Sequence, residues 1–277
     1  KDGFFWEYME IPQKNDDNAL EMYTLQCRNH ILKPLAEKYG IDTSDEAIRA
    51  AVEQHNEVCR LIRAIGDFRK EANPRVTGYE FHILTLVSYV APKHLIVDKL
   101  RETLEEIKTR EPDAADKYRA RVVFVGSEVD DVDVIRLVEE SGAYVCADRF
   151  CYGSLPGRDE IILNDEEDVV KQVCRQVQGR AQCPRYWDMA KMTGRRDYVA
   201  DLAKEYGADG IIYEQMKFCD PWAYERMIGT IVLRDEHGYP VLAVDRPYSI
   251  GSSGQMRTRV QAFVEIIEIK KIQGGKK

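Results

Sequence analysis

The sequence predicts an α/β protein: a helical N-terminal region over residues 1–118, then a doubly wound, mostly parallel four-stranded sheet domain over 119–277. Three observations predict it. After residue 120, short runs rich in Val and Ile recur, and most end on Gly, Ser or a turn. A segment with helical spacing separates each run from the next. Before residue 120 the apolar positions follow helical spacing alone. Strands that alternate with helices pair in parallel, because each crossover helix must pack back on the sheet.

Residues 18–72 read as helical: "NALEMYTLQCRNHILKPLAEKYG" ends on Gly40, a natural C-cap, and "TSDEAIRAAVEQHNEVCRLIRAIGDFRK" opens with capping and acidic first-turn residues. "ANPRVTG" (72–78) breaks the pattern. "YEFHILTLVSYV" (79–90) reads as a buried helix, 92–111 as an amphipathic one and 112–120 as a charged connector. Strands follow at 121–127, 143–150, 208–216 and 239–247. Helices are expected over 130–142, 165–179, 196–207, 222–234 and 254–273. The unbroken apolar character of "VVFV" and "GII" fits strands covered on both faces.

Composition narrows the function. The 277 residues carry a formal net charge of −8 and are 44% hydrophobic, which suits a folded protein and disfavours a general nucleic-acid or anionic-membrane binder. No apolar run approaches the roughly 18 residues of a membrane span. Seven cysteines, an odd number with no secretion signal in view, suit a reducing cytoplasm rather than a disulfide framework. The first residue is Lys rather than Met, so the chain reads as part of a longer protein.

In doubly wound sheets, ligands collect beyond the carboxyl ends of the strands. The segments there are "GSEVDD" (126–131), "DRFCYGSLPGR" (148–158), "MKFCDPW" (216–222) and "RPYSIGSSGQ" (246–255). Two of them hold a cysteine, Cys151 and Cys219. A third, Cys183, lies in the Pro-bearing "RAQCPRYW". A cysteine on a turn, followed by or close to Gly or Pro, can hold its sulfur out of the packed layer, and Cys-Pro is frequent around iron–sulfur ligands. Spacings of 32 and 36 residues match no compact zinc motif. Cys27 and Cys59 fall within helices, and Cys146 and Cys174 within a strand and a helix, so all four are expected to pack in the core. Glycine-rich dinucleotide and nucleotide loops, zinc-protease helices and serine elbows are all missing from the sequence. The loop at 248–259 enters a helix, where backbone N–H groups with Arg257, Arg259 and Ser252 suit a phosphate or carboxylate.

The segments "ADRFCYGSLPGRDEI", "QCPRYW", "ADGIIYEQMKFCDPW" and "SSGQMRTRVQAFVEII" together resemble the 2-hydroxyacyl-CoA dehydratase and benzoyl-CoA reductase family, over roughly residues 120–277 and more loosely before that. The resemblance is to the iron–sulfur substrate-binding subunits, and "FCYGSLPGR" with "IKKIQ" leans toward the benzoyl-CoA reductase branch.

The resemblance implies a [4Fe–4S] cluster held by Cys219, Cys183 and Cys151, ranked in that order. It implies three partners: a homologous second iron–sulfur subunit, an ATP-hydrolysing activator component, and an acyl-CoA whose phosphates meet Arg257, Arg259 and Arg158. The main expectation is a benzoyl-CoA reductase subunit that delivers low-potential electrons to an aromatic acyl-CoA. The alternatives are an (R)-2-hydroxyacyl-CoA dehydratase subunit that eliminates water through a ketyl radical, and a non-catalytic electron relay. A strongly reducing cluster calls for a dry shell with few hydrogen bonds to sulfur, and Phe150, Tyr152, Phe218 and Trp222 are the neighbours expected to supply it. Asp220 and Glu214 are expected to orient groups nearby, with Asp220 otherwise a cap for the helix beginning at Pro221.

Overall fold

A computed structural model describes residues 6–112, 117–154, 159–186, 188–248 and 253–274. Five helices come first: α1 (Asp17–Cys27), α2 (Lys33–Tyr39), α3 (Asp45–Asp67), α4 (Gly78–Val90) and α5 (Lys93–Thr109). Their starts follow local chemistry. The Asp16 carboxylate accepts from the Ala19 N–H and the Ser44 hydroxyl from the Ala47 N–H. Thr77 and Glu80 form a reciprocal capping box at α4. Between α1 and α2 the chain widens into a π-turn, Arg28–Leu32, where helical spacing alone predicts continuity.

The sheet follows: β1 (Ala120–Val125), α6 (Val132–Glu140), β2 (Ala143–Arg149), α7 (Val169–Arg180), α8 (Met189–Glu205), β3 (Gly210–Met216), α9 (Asp220–Asp235), β4 (Val241–Arg246) and α10 (Ser253–Gly274). The strand order is β2-β1-β3-β4, and each neighbouring pair is parallel. The expected α/β class and doubly wound sheet are therefore present. The order reverses direction between β1 and β3, and crevices open at such reversals.

Alternation along β1 sorts its side chains to two faces. Val122 and Phe124 pack with Val134, Val138, Phe263 and Ile267 of α6 and α10. Val123 and Val125 pack with Val199, Ala203, Trp222 and Leu233 of α8 and α9. Helix α8 begins at Met189, seven residues before the expected 196, because the Asp188 carboxylate caps it by accepting from the Lys191 N–H. A β-bulge interrupts the β1–β2 register, where Val122 pairs with Val145 but Val123 with Ala147. Cys146 is the extra residue, fully buried, and its thiol donates to the Val122 carbonyl at 3.3 Å. It is structural, as expected.

Two buried carboxylates join the helices to the sheet. Arg69, which follows α3, stacks 3.6 Å over the Phe81 ring and donates to Asp148 of β2 at 2.9 Å, both groups buried. Glu139 of α6 accepts from the Gly78 N–H (2.8 Å) and the Tyr79 N–H (3.1 Å) at the start of α4, and from the Val145 N–H (3.3 Å) of β2.

These joints make two predictions. Arg69→Ala strands a buried carboxylate and should cost about 3–5 kcal/mol in urea unfolding. Arg101→Ala, which breaks the exposed pair with Glu57, should leave the urea midpoint nearly unchanged. Burial pushes the Glu139 carboxyl up to about 7 against the opposing pull of its backbone donors. The folded chain thus holds a proton that the unfolded chain releases above the ordinary carboxylate range, so this residue's contribution to stability falls as pH rises toward 7. Glu139→Gln, which cannot ionise, should show a flatter profile than wild type between pH 5 and 7 in denaturant titrations. An unchanged slope would mean that Glu139 is ionised throughout.

Candidate functional site

The site is built at the carboxyl ends of β1, β2 and β3. Strand β1 gives way to Gly126 and Ser127. The Ser127 carbonyl accepts from the Cys151 N–H at 2.9 Å, which lays the β2 exit against the β1 exit. Asp148 then shapes the turn that carries Cys151. Its Oδ2 accepts from the Ser154 N–H at 2.7 Å, and its carbonyl accepts from the Ser154 hydroxyl at 2.9 Å. Residue 153 must be glycine, since a Cβ there would lie 2.4 Å from Asp148 Oδ2.

Cys219 is presented differently. After β3 the chain reverses over Met216–Cys219, closed by the Cys219 N–H donating to the Met216 carbonyl at 3.1 Å. Phe218 has φ of 71°, the one non-glycine with positive φ among the described residues, and its ring is 97% exposed. The expected role for Phe218 in a dry shell is therefore not met by this chain alone: its ring covers nothing here. Cys219, not Asp220, is the N-cap of α9. Asp220 is its first helical residue, and Pro221 follows in the first turn.

Cys183 arrives from the loop between α7 and α8, held from two sides. Arg149, the last residue of β2, is buried and donates to the Gln182 side chain at 3.1 Å and to the Gln182 carbonyl. Arg195 of α8 donates to the Tyr186 carbonyl at 2.8 Å, and its guanidinium is held in turn by buried Glu225 at 3.1 Å. The loop is thus fixed by two buried cations, neither of which the sequence marks as special.

The three cysteines come together. The Cys151 thiol donates to the Cys183 sulfur, which pulls the Cys183 thiol down to about 6, aided by the Arg185 backbone N–H and by the Arg185 and Arg149 charges. The same hydrogen bond, with burial, pushes Cys151 up. Cys219 is pushed up by burial, and Cys183, Glu214 and Asp220 add to the effect. Trp222 touches the group: its indole N–H donates to the Cys151 sulfur at 3.4 Å, and its backbone N–H opposes the rise of the Cys219 thiol. The Arg149 guanidinium lies 4.9 Å from the Trp222 ring centroid. So the Cys151 sulfur receives an N–H donor and a buried cation stands close by, which departs from the expected hydrogen-bond-poor shell. Phe150 is buried as expected but packs on Phe124 and His82, and Tyr152 is partly exposed.

Glu214 lies on β3 at the β1–β3 reversal. Fully buried, it accepts from the Ser127 N–H (3.1 Å) and hydroxyl (3.0 Å) and pairs with Arg246 at 2.9 Å. Burial pushes its carboxyl up to about 7 against the Arg246 charge. Position 126 has no room for a side chain, because a Cβ there would lie 2.4 Å from Glu214 Oε2. The remaining candidates sit apart from the thiol contacts. Arg257 pairs with Glu140 at 2.8 Å, and Arg259 donates to the Ala243 carbonyl at 2.6 Å. Arg158 and Ser252 lie outside the described residues.

Among the described residues, no group of three or more His, Cys, Asp or Glu side chains is arranged to hold a metal ion. Nor is any helix long and apolar enough to cross a membrane. The fold and the site define an α/β protein that presents three thiols beyond the carboxyl rim of a parallel sheet.

The chain belongs to the 2-hydroxyglutaryl-CoA dehydratase, D-component family, whose pattern it matches over residues 4–267. It is similar to the (R)-phenyllactyl-CoA dehydratase beta subunit of Clostridium sporogenes, 25% identical over 259 residues, 93% of this chain and 67% of that one. It is also similar to the (R)-2-hydroxyglutaryl-CoA dehydratase beta subunit of Acidaminococcus fermentans, 24% identical over 263 residues (93% and 67%). A benzoyl-CoA reductase subunit of Thauera aromatica is 22% identical over 273 residues (96% and 68%). The expected family is thus the family found. The relatives fall on both sides of the dehydratase–reductase division, so they do not single out the benzoyl-CoA branch.

The Met216–Cys219 turn carries its own prediction. A left-handed backbone costs a branched side chain roughly 1–2 kcal/mol and costs glycine little. Phe218→Gly should therefore keep or raise stability, whereas Phe218→Val should lower it by roughly 1–2 kcal/mol. Thermal melts of the pair in the opposite order would mean that residue 218 is not left-handed.

Proposed function

We propose that this chain is the iron–sulfur subunit of a 2-hydroxyacyl-CoA dehydratase complex, with Cys151, Cys183 and Cys219 as thiolate donors. The observation that carries the reading is the convergence of these three sulfurs, from two strand ends and a separate loop, around Trp222. The donor set fits a [4Fe–4S] cluster chemically. All three donors are soft thiols, the Cys183 thiol is already held low, and buried Arg149 offsets negative charge. A four-iron cube spaces its thiolates more widely than one ion does, which is compatible with a group that is not arranged for a single ion.

Bound there, the cluster supplies one-electron transfer at low potential. The chain's own residues do the rest. Trp222 covers Cys151 and holds its sulfur through the indole N–H. Arg149 fixes the Cys183 loop against β2. The partners in this reading are a homologous second iron–sulfur subunit, an ATP-hydrolysing activator and an acyl-CoA substrate, in the cytoplasm. Arg257 and Arg259 at the start of α10 are assigned to the CoA phosphates. Dehydration is preferred to arene reduction because the relatives include beta subunits named for phenyllactyl-, 2-hydroxyglutaryl- and lactoyl-CoA dehydratases.

A second reading, an electron relay that never meets substrate, is favoured by one feature. N–H donors to sulfur and a nearby cation stabilise the more negative, reduced cluster and raise its potential. That suits a stage that passes an electron on.

Purification with the partner chain under anaerobic conditions should yield iron and sulfide near four per chain, less in Cys219→Ser and Cys183→Ser (roughly, for one cluster). Full iron content in both variants, or an iron-free wild type, would refute the assignment. With the complex in hand, a 2-hydroxyacyl-CoA that perturbs the cluster's EPR signal supports the enzyme reading, and a signal indifferent to every acyl-CoA supports the relay.

A further inference from the structure

A second sulfur cluster lies away from this site. Cys27 ends α1, Cys174 sits in the middle of α7, and Met9 lies in the extended segment before α1. The Cys174 and Cys27 sulfurs are 3.5 Å apart, and the Met9 thioether sulfur is 3.9 Å from Cys27. Three separate stretches of chain thus bring soft donors together at the Cys27 sulfur. Cys174 is 3% exposed and Cys27 is half-buried, so the group is sheltered but open on one side. We propose that Met9, Cys27 and Cys174 form a three-sulfur site for a soft monovalent cation of the Cu(I) type.

Spacing separates this from the two obvious alternatives. A disulfide needs its sulfurs about 2.05 Å apart, so this pair would have to close by about 1.5 Å between two packed helices. An ion with metal–sulfur bonds of ~2.3 Å holds three trigonal sulfurs ~4.0 Å apart. The observed 3.5 and 3.9 Å need only small adjustments to accept it. The other alternative is inert packing of buried cysteines, and Leu20 and Val170 do line one side. Apolar packing accommodates Met9 as well, and the Met9→Leu variant below separates the two readings.

The donor set also selects the ion. Two thiols with a thioether favour Cu(I), whereas harder divalent ions seek imidazole or carboxylate. The nearby histidine, His30, is engaged with Glu7. Cys174 donates to Cys27, so the proton between the two sulfurs already sits on Cys174 and the Cys27 sulfur faces the site as an acceptor. Binding one Cu(I) releases up to two thiol protons and involves no electron transfer. Directly after Cys27 the helix opens into the π-turn Arg28–Leu32, an irregularity that is frequent at functional positions.

The test is an anaerobic titration of the reduced whole chain with Cu(I) against a Cu(I)-selective chelator, with X-ray absorption at the copper edge. Beyond any copper taken by the rim thiols Cys151, Cys183 and Cys219, wild type and Cys219→Ser should both hold one tight equivalent in a three-sulfur shell. Cys27→Ser and Cys174→Ser should lose that equivalent. Met9→Leu, which keeps the apolar contact and the fold, should bind at least roughly tenfold more weakly. The proposal is overturned if copper uptake is the same in Cys27→Ser, Cys174→Ser and wild type. It is equally overturned if the shell is unchanged in Met9→Leu, or if the reduced pair ignores Cu(I) and instead loses two hydrogens to a mild disulfide oxidant. None of these outcomes depends on an iron–sulfur cluster at Cys151, Cys183 and Cys219.

Discussion

The buried pair of Arg69 and Asp148 is the interaction on which the rest of the structure turns. Removing a guanidinium and a carboxylate from water is costly, and neither tolerates burial alone. The pair therefore persists only where both segments are brought to the same place. That place is the end of β2. Asp148 answers Arg69 with one oxygen and the Ser154 N–H with the other. The anion that locks the turn after α3 to the sheet is thus the anion that shapes the turn bearing Cys151. Adjacent strand residues point to opposite faces, so the next residue, Arg149, reaches away from Arg69 toward Gln182 and Trp222. Two consecutive side chains of opposite charge anchor the two sides of the thiol site.

Much of this frame is legible in the sequence. The β-α alternation implies a parallel sheet, and a parallel sheet places its loops at the carboxyl rim, so sequence alone assigns Cys151 and Cys219 to one end. Cys183 is a different case. It lies between two helices, and its approach depends on Arg149 and Arg195, whose burial becomes tolerable only through partners distant in sequence such as Glu225. A run such as Gly-Arg-Arg-Asp reads as exposed and polar. For the same reason the first two turns of α8 escape a pattern-based reading: two of the residues that would mark its buried face are arginines.

Cysteines inside helices are harder still. Helical spacing correctly says that Cys27 and Cys174 are sheltered, but says nothing of what lies across the interface. Their contact spans 147 positions and joins helices α1 and α7. The π-turn that follows Cys27 is invisible to a 3.6-residue pattern, because a single inserted position shifts the face without breaking the run. The cap of α9 shows the opposite error. Asp-Pro invites an Asp cap, yet the left-handed Phe218 rotates the chain so that the cap position falls one residue earlier, on Cys219.

That one-residue difference matters chemically. With Asp220 as the cap, its carboxylate would point at the helix N-terminus and satisfy the first N–H groups itself. With Cys219 in that position, no side chain closes the helix end. Asp220 instead sits in the first turn, where its negative charge adds to the burial that pushes the Cys219 thiol up. Trp222, within the first turn of the same helix, adds its indole N–H to Cys151. A short helix start thereby gives the Cys151 sulfur an N–H donor. A left-handed phenylalanine, which contributes no packing of its own, is the backbone irregularity that makes this possible.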